Sequence, residues 1–388
     1  MSNIQSGNKD RLHHWDFSWA LYLMLGIPFH AAVIYSLAHE WAVSSPDKSQ
    51  VLTWLSSFLH TFRMPGFFLL AGFFSIMLLD RKGPMIWLKS RLFRLGVPLF
   101  SATLLILPFQ IVVQSVALSV NGTLPWADLS AYTTGQLTQF GEPWISHLWF
   151  LWSLIAYCVG LAMLHALVGG ANLRAALDGL VGWVTRNRIA SFIGFAGLCA
   201  ATAYVQSVVV AASPYYGNAV INYNAYILYF CLGVILFHSS KMQDLLVKPG
   251  PTAACVGIVL AVLSVFPYTD LLGHTLNVIA GIAGALLIVG YISNLAVKHF
   301  NRPNAKVRKL VDASFTIYLF HHPIIFVLAT LFLLVNLPPI IEFVIIAVVA
   351  GVSSYAIHQL ISKSSILSMM LGSNATSRSG RSLVKVTG

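Results

Sequence analysis

DFSWALYLMLGIPFH, residues 16–30, is an apolar run that opens on the carboxylate of Asp16 and closes on the imidazole of His30. As one helix rising about 1.5 Å per residue, it separates the two groups by roughly 21 Å, so with Asp16 near one membrane face His30 lies well across the bilayer. Ionisable groups inside a spanning helix are costly, face a bundle interior or a wet cavity, and mark function by default. The bland alternative is a neutral histidine hydrogen-bonded to a neighbouring helix. On one straight helix Asp16 is too distant to orient His30, which leaves Tyr318, His321 and His322 as candidate partners.

The apolar character extends outward over the whole chain. Of 388 residues, 57% are hydrophobic and only 9% charged, and the mean hydropathy is +0.77. Soluble domains carry about 25% charged residues, so the fold class is an all-α polytopic membrane protein lying in a lipid bilayer. At about 20 apolar residues per span the sequence predicts ten transmembrane helices. They cover 16–37, 55–79, 95–118, 147–168, 190–210, 223–238, 252–267, 275–296, 311–335 and 339–361. Gly281, Gly284 and Gly290 suit the eighth for close helix approach. Residues 1–362 are expected to form one integral membrane domain, and 363–388 a cytoplasmic, disordered tail that is Ser-rich from Gly372. The polar N-terminus runs straight into a full-length span, so no removable signal peptide is expected.

The net charge of +11 would suggest nucleic acid in a soluble chain. Here an N-terminus placed inside puts all of the 23 basic residues except Lys48 and Arg63 in inner segments, which explains the charge without nucleic acid. Both termini then face the cytoplasm. Cys158, Cys199, Cys231 and Cys255 show no CxxC spacing and read as core residues. No metal is expected: HExxH is absent, and the adjacent His321 and His322 point two ways on a helix. A GxSxG elbow, a Walker A loop and a GxGxxG fingerprint are absent too.

Four groups carry the chemistry. His30 is the first. Arg63, in HTFRMPGFFLLAGFF, falls roughly 24 Å above the inner end of its span, a depth like that of His30, which suggests one cavity; outward snorkelling is its alternative. Arg91 and Arg94, in KSRLFRLGVP, share a helical face at the inner surface and can grip phosphates bidentately, or serve as ordinary positive-inside residues. In ASFTIYLFHHP, Ser314, Tyr318 and either His321 or His322 recur at three- and four-residue steps as a polar stripe, lining a cavity or bonding between helices. His147, in ISHLWFLWSL, enters the fourth span from outside, to meet an acceptor or sit at the interface. The outer loop 119–146, with Trp126, Asp128, Tyr132, Gln136, Glu142 and Trp144, could stack on a sugar or belong to the interface belt.

Taken together and in order, DFSWALYLMLGIPFH, SFLHTFRMPGFFLLAGFFS, SRLFRLGVP, ISHLWFL and DASFTIYLFHHP resemble the acyltransferase-3 family of integral membrane acyltransferases. Within it, GIPFH, FRM, ISHLWFL and the double histidine before proline are most similar to the branch that succinylates osmoregulated periplasmic glucans. The resemblance implies transfer of an acyl group, succinyl in that branch, from cytosolic acyl-CoA to glucose hydroxyls of periplasmic glucan across a bacterial inner membrane. It implies His30 as catalytic base and Arg91 and Arg94 as donor-binding residues. The substrate contacts expected beside them are Arg63, His147, Ser314, Tyr318, His321 and His322. Acyl-CoA enters as a substrate, no tightly bound cofactor is expected, and homo-oligomer formation stays open. Relatives commonly carry a basic residue eleven positions before the histidine; here Trp19 stands there. A transporter or flippase, and an inactive glucan-binding relative, are the alternative functions.

Overall fold

The computed structural model describes residues 12–38, 41, 43–139, 141–212, 226–266, 270–335 and 337–372. Lys9, Arg11 and the Ser-rich tail beyond Gly372 lie outside the described residues, as does the side chain of Cys199. Everything regular among the described residues is helical, with no strand.

The stretch 16–30 folds as two helices, α1 (His13–Met24) and α2 (Gly26–Val33), broken at Leu25. Pro28 explains the break: it has no N–H to give the carbonyl of Met24, and Gly26 beside it is a weak helix former. One straight rod from Asp16 to His30 is therefore corrected to two pieces. α3 (Gln50–Lys82) is the longest helix, 33 residues, capped by the Ser49 side chain and stopped at Gly83 with φ 76°. α4 (Pro84–Leu105) and α5 (Leu107–Val120) are bent by 41° where Pro108 removes an N–H. A short outer helix, α6 (Leu129–Thr138), and single 3-10 turns lead to α7 (Trp149–Val168). α8 (Gly170–Arg186), which no expected span covers, α9 (Arg188–Ala212) and α10 (Ile227–His238) follow. α11 (Ser240–Leu246) and α12 (Pro251–Leu263) meet at 78°. The long helices α13 (Leu271–Phe300), α14 (Ala305–Phe332) and α15 (Pro339–Ile361) precede a short α16 (Ser365–Met370) packed on α4.

Five helices among the described residues are long and apolar enough to cross a membrane: α3, α7 with its preceding turn, α13, α14 and α15. Counting each bent pair as one span gives seven. The count of ten is not reached among the described residues: the first expected span is the broken α1–α2 pair, and of the sixth, whose residues 223–225 lie outside the described ones, the 12 residues of α10 are helical.

α3 stands in the middle and is buried on nearly every side over Phe62–Phe73. Its crossing with α10 is made by glycines on both helices: a methyl group on Gly72 would overlap the carbonyl of Phe230, and one on Gly233 that of Leu69. Such small residues let backbones touch where apolar burial between helices gives no drive in lipid. α12 and α13 repeat the device through Gly257 and Gly284. At the other end of α3, Asp80 accepts from Arg174 Nη2 at 3.0 Å and lies 3.5 Å from His165 and 3.9 Å from His238, joining α7, α8 and α10. A second core of α2, α14 and α15 residues, with Tyr35 donating to the buried Glu342 at 2.7 Å, holds α2 from the opposite side. α2 is thus clamped between α3 and the α14–α15 pair, and His30 points into their junction.

Candidate functional site

That junction gathers five polar side chains from four parts of the chain. His30 comes from α2, Arg63 from α3, His147 from the turn before α7, and His321 and His322 from α14; each is 9% exposed or less. Ring centroids lie 4.7 Å (His30 to His322), 5.3 Å (His30 to His321) and 4.3 Å (His147 to His322, nearly parallel) apart. The adjacent histidines of α14, expected to diverge, both reach His30. Trp41, from the loop after α2, stacks on His30 at 5.2 Å and turns an edge-to-face contact toward His322.

Arg63 and His321 meet across Gly26. A methyl group on Gly26 would stand 3.1 Å from Arg63 Nη1 and 3.2 Å from His321 Nε2, so the missing side chain is what lets the two groups converge. The Arg63 guanidinium lies over the Phe29 ring at 4.5 Å, and no carboxylate among the described residues pairs with it. A buried, unneutralised guanidinium is expensive unless an anion or developing negative charge comes to it.

The hydrogen bonds state which ring nitrogen carries each proton, because a carbonyl only accepts. His321 Nδ1 donates to Tyr318 O at 2.7 Å, which leaves a bare lone pair on Nε2. His147 Nε2 donates to Leu319 O at 3.2 Å, leaving the lone pair on Nδ1. That carbonyl is available for a sequence reason: Pro323, four residues on, has no N–H to claim it. The double histidine before proline is thus one device, two rings together with the backbone acceptor that fixes a third. His322 Nδ1 meets Gln110 Oε1 at 2.8 Å. The nitrogens His30 Nδ1, His147 Nδ1 and His321 Nε2, and the donors Arg63 Nε and Nη1, are buried without a hydrogen-bond partner among the described residues. Proton acceptors and cationic donors therefore sit side by side, which suits removing a proton from a hydroxyl while holding charge on a neighbouring oxygen.

Of the residues singled out in the sequence, His30, Arg63, His147, Tyr318, His321 and His322 come together. Tyr318 acts from beneath, its hydroxyl donating to His147 O at 2.8 Å. Ser314 does not join them: its hydroxyl is spent on Val311 O of its own helix. Arg91 and Arg94 lie apart on α4, Arg91 half-buried with its guanidinium 5.9 Å from the Trp87 ring and Arg94 exposed. Trp19 packs on Phe67 and Phe74 of α3. In the outer loop Trp126 is exposed, while Trp144 donates its Nε1–H to Gln136 O. Sequence reasoning missed Gln110, Ser146, Trp41 and Gly26; Gln110, an amide inside the apolar run LPFQIVV, was the one legible signal. Among the described residues no three His, Cys, Asp or Glu side chains are grouped to hold a metal ion.

A family described as "Acyltransferase domain" matches residues 20–359. Curated relatives called "Glucans biosynthesis protein C", from Shigella dysenteriae serotype 1 (strain Sd197), Escherichia coli O81 (strain ED1a) and Escherichia coli (strain K12), are each 30% identical over 321 residues, covering 78% of this chain and 79% of the relative. No solved structure matches.

Proposed function

We propose, from the premise that this chain belongs to the acyltransferase-3 family, that it is a membrane O-acyltransferase carrying succinyl from cytosolic acyl-CoA to glucose hydroxyls of a periplasmic glucan. The single observation that carries the reading is the buried junction in which unpartnered imidazole nitrogens and unpartnered Arg63 donors lie within one small space. The name of the relatives, which concerns glucan biosynthesis, supports the acceptor.

In this reading the sugar oxygen attacks the thioester carbonyl. Its proton passes to a neutral imidazole, His30 first, a group suited to the task near neutral pH. Negative charge collects on the carbonyl oxygen and is met by Arg63. The tetrahedral adduct collapses, the C–S bond breaks, and the proton leaves with the coenzyme thiolate as thiol. Arg91 and Arg94 hold the donor's phosphates at the inner face, where their forked guanidinium groups match phosphate oxygens. The chain sits in a bacterial inner membrane with both termini inside, which the distribution of basic residues supports.

The test is thiol release by the purified protein in lipid, given succinyl-CoA or acetyl-CoA with and without periplasmic glucan. Glucan-dependent release from succinyl-CoA that falls about 10²-fold or more in His30→Ala is expected. Substrate movement without thiol release would overturn the reading in favour of a transporter, and glucan binding without either would reveal an inactive relative.

A further inference from the structure

Gln110 is fully buried on α5, with apolar residues immediately on either side of it in the sequence. A buried amide with all its polar atoms in use has a job, since each polar atom unpaired there would be costly. Its Oε1 accepts from His322 Nδ1 at 2.8 Å, and its Nε2 donates to Ser146 Oγ at 2.6 Å. Ser146 is the one non-glycine with positive φ, 41°, among the described residues, a conformation that persists only when its surroundings hold it. The next residue is His147, whose ring stacks on His322 at 4.3 Å. One amide therefore reaches two histidines, the first directly and the second through the turn that carries it.

We infer that Gln110 is a positioning residue of the acyl-transfer site: it keeps the His322 proton on Nδ1, so that the Nε2 lone pair faces the chemistry, and it pins the turn that sets His147. The inference rests on the acyl-transfer reading for its kinetic consequence only. The logic is that of a base oriented by a third group, with an amide in the place where a carboxylate commonly stands. The difference matters. A carboxylate would favour a charged ring, whereas an amide oxygen fixes the tautomer without drawing in a second proton. Among the described residues the charged and titratable groups around His322 are His30, His147, His321 and Arg63, and none of these is an anion that would compete with Gln110 for that choice.

The experiment uses the full-length protein in lipid, labelled with 15N at histidine. The His322 signals are assigned by their loss in His322→Gln, and thiol release is measured on the same samples. The wild type is expected to show His322 protonated at Nδ1. In Gln110→Leu the signals should move to the other tautomer or to a mixture, and kcat should fall about 10²-fold with KM for acyl-CoA unchanged. Gln110→Glu keeps the shape and should instead shift the acid limb of the pH–rate profile upward; it carries the test if the leucine variant fails to fold. A wild-type ring protonated at Nε2, or a Gln110→Leu protein with native spectrum and native kcat, overturns the inference. A wild type that releases no thiol refutes the acyl-transfer reading instead, and the spectra still decide the tautomer.

Discussion

Gly26→Ala should separate activity from stability. Its methyl group would stand 3.1 Å from Arg63 Nη1 and 3.2 Å from His321 Nε2, while comfortable heavy-atom contact begins at about 3.5 Å. Both neighbours are side-chain ends, so they withdraw by about 0.3–0.4 Å and the backbone stays. A displacement of about 1 Å from productive geometry can cost about 10²-fold, so a shift of this size on that logarithmic scale lowers kcat about fivefold. The helix itself gains from the change, by up to about 1 kcal/mol, because alanine loses less backbone entropy than glycine. The assay pairs initial rates of glucan-dependent thiol release with thermal unfolding in the same lipid. The expected pattern is a fivefold slower enzyme that melts at the wild-type temperature or higher. An unchanged rate would show that the space above Gly26 lies outside the reacting geometry. A rate and a melting temperature that fall together would mean that the residue serves the fold.

Gly72→Ala and Gly233→Ala should do the reverse. Each new methyl meets a backbone carbonyl that cannot rotate away, so each variant should lose about 3 kcal/mol or more, read as a lowered melting temperature, without any contact to the histidines. Pro323→Ala returns an N–H to compete for Leu319 O; the protein should melt no lower, yet the weakened hold on His147 should slow thiol release about tenfold. A Pro323→Ala protein with the native rate would show that this carbonyl is dispensable.

The sequence revealed the membrane class, the acyltransferase family and most of the cluster, because charged or imidazole groups in apolar runs are conspicuous whatever surrounds them. Counting residues puts His30 and Arg63 at one depth, and both are buried in the structure, with Arg63 meeting His321 across Gly26. What could not be read was convergence from non-adjacent helices. The geometry of a helix alone sends His321 and His322 in different directions; only the position of α2 between α3 and α14 brings both to His30. Ser314 shared the spacing of the stripe and still turned its hydroxyl onto its own helix, since periodicity assigns a face and not a partner. The span count suffered from a related blindness. Hydropathy registers apolar length, so it could not see that Pro28 and Gly26 divide the first span or that α8 would fill a stretch between two expected ones.

The glycine crossing of α3 and α10 has a mechanical consequence. Backbones in direct contact at Gly72 and Gly233, with Asp80 fastening the same helices to α7 and α8, make that side of the junction a fixed wall, and Arg63 is mounted on it. His30 and the α14 histidines belong to the facing side, where α2 is a separate eight-residue piece with a break at its foot. Close-packed interfaces slide or tilt as units instead of deforming continuously. In the proposed reaction, donor and acceptor would thus meet an arginine held on a backbone-to-backbone wall and histidines carried by separate helix pieces facing it.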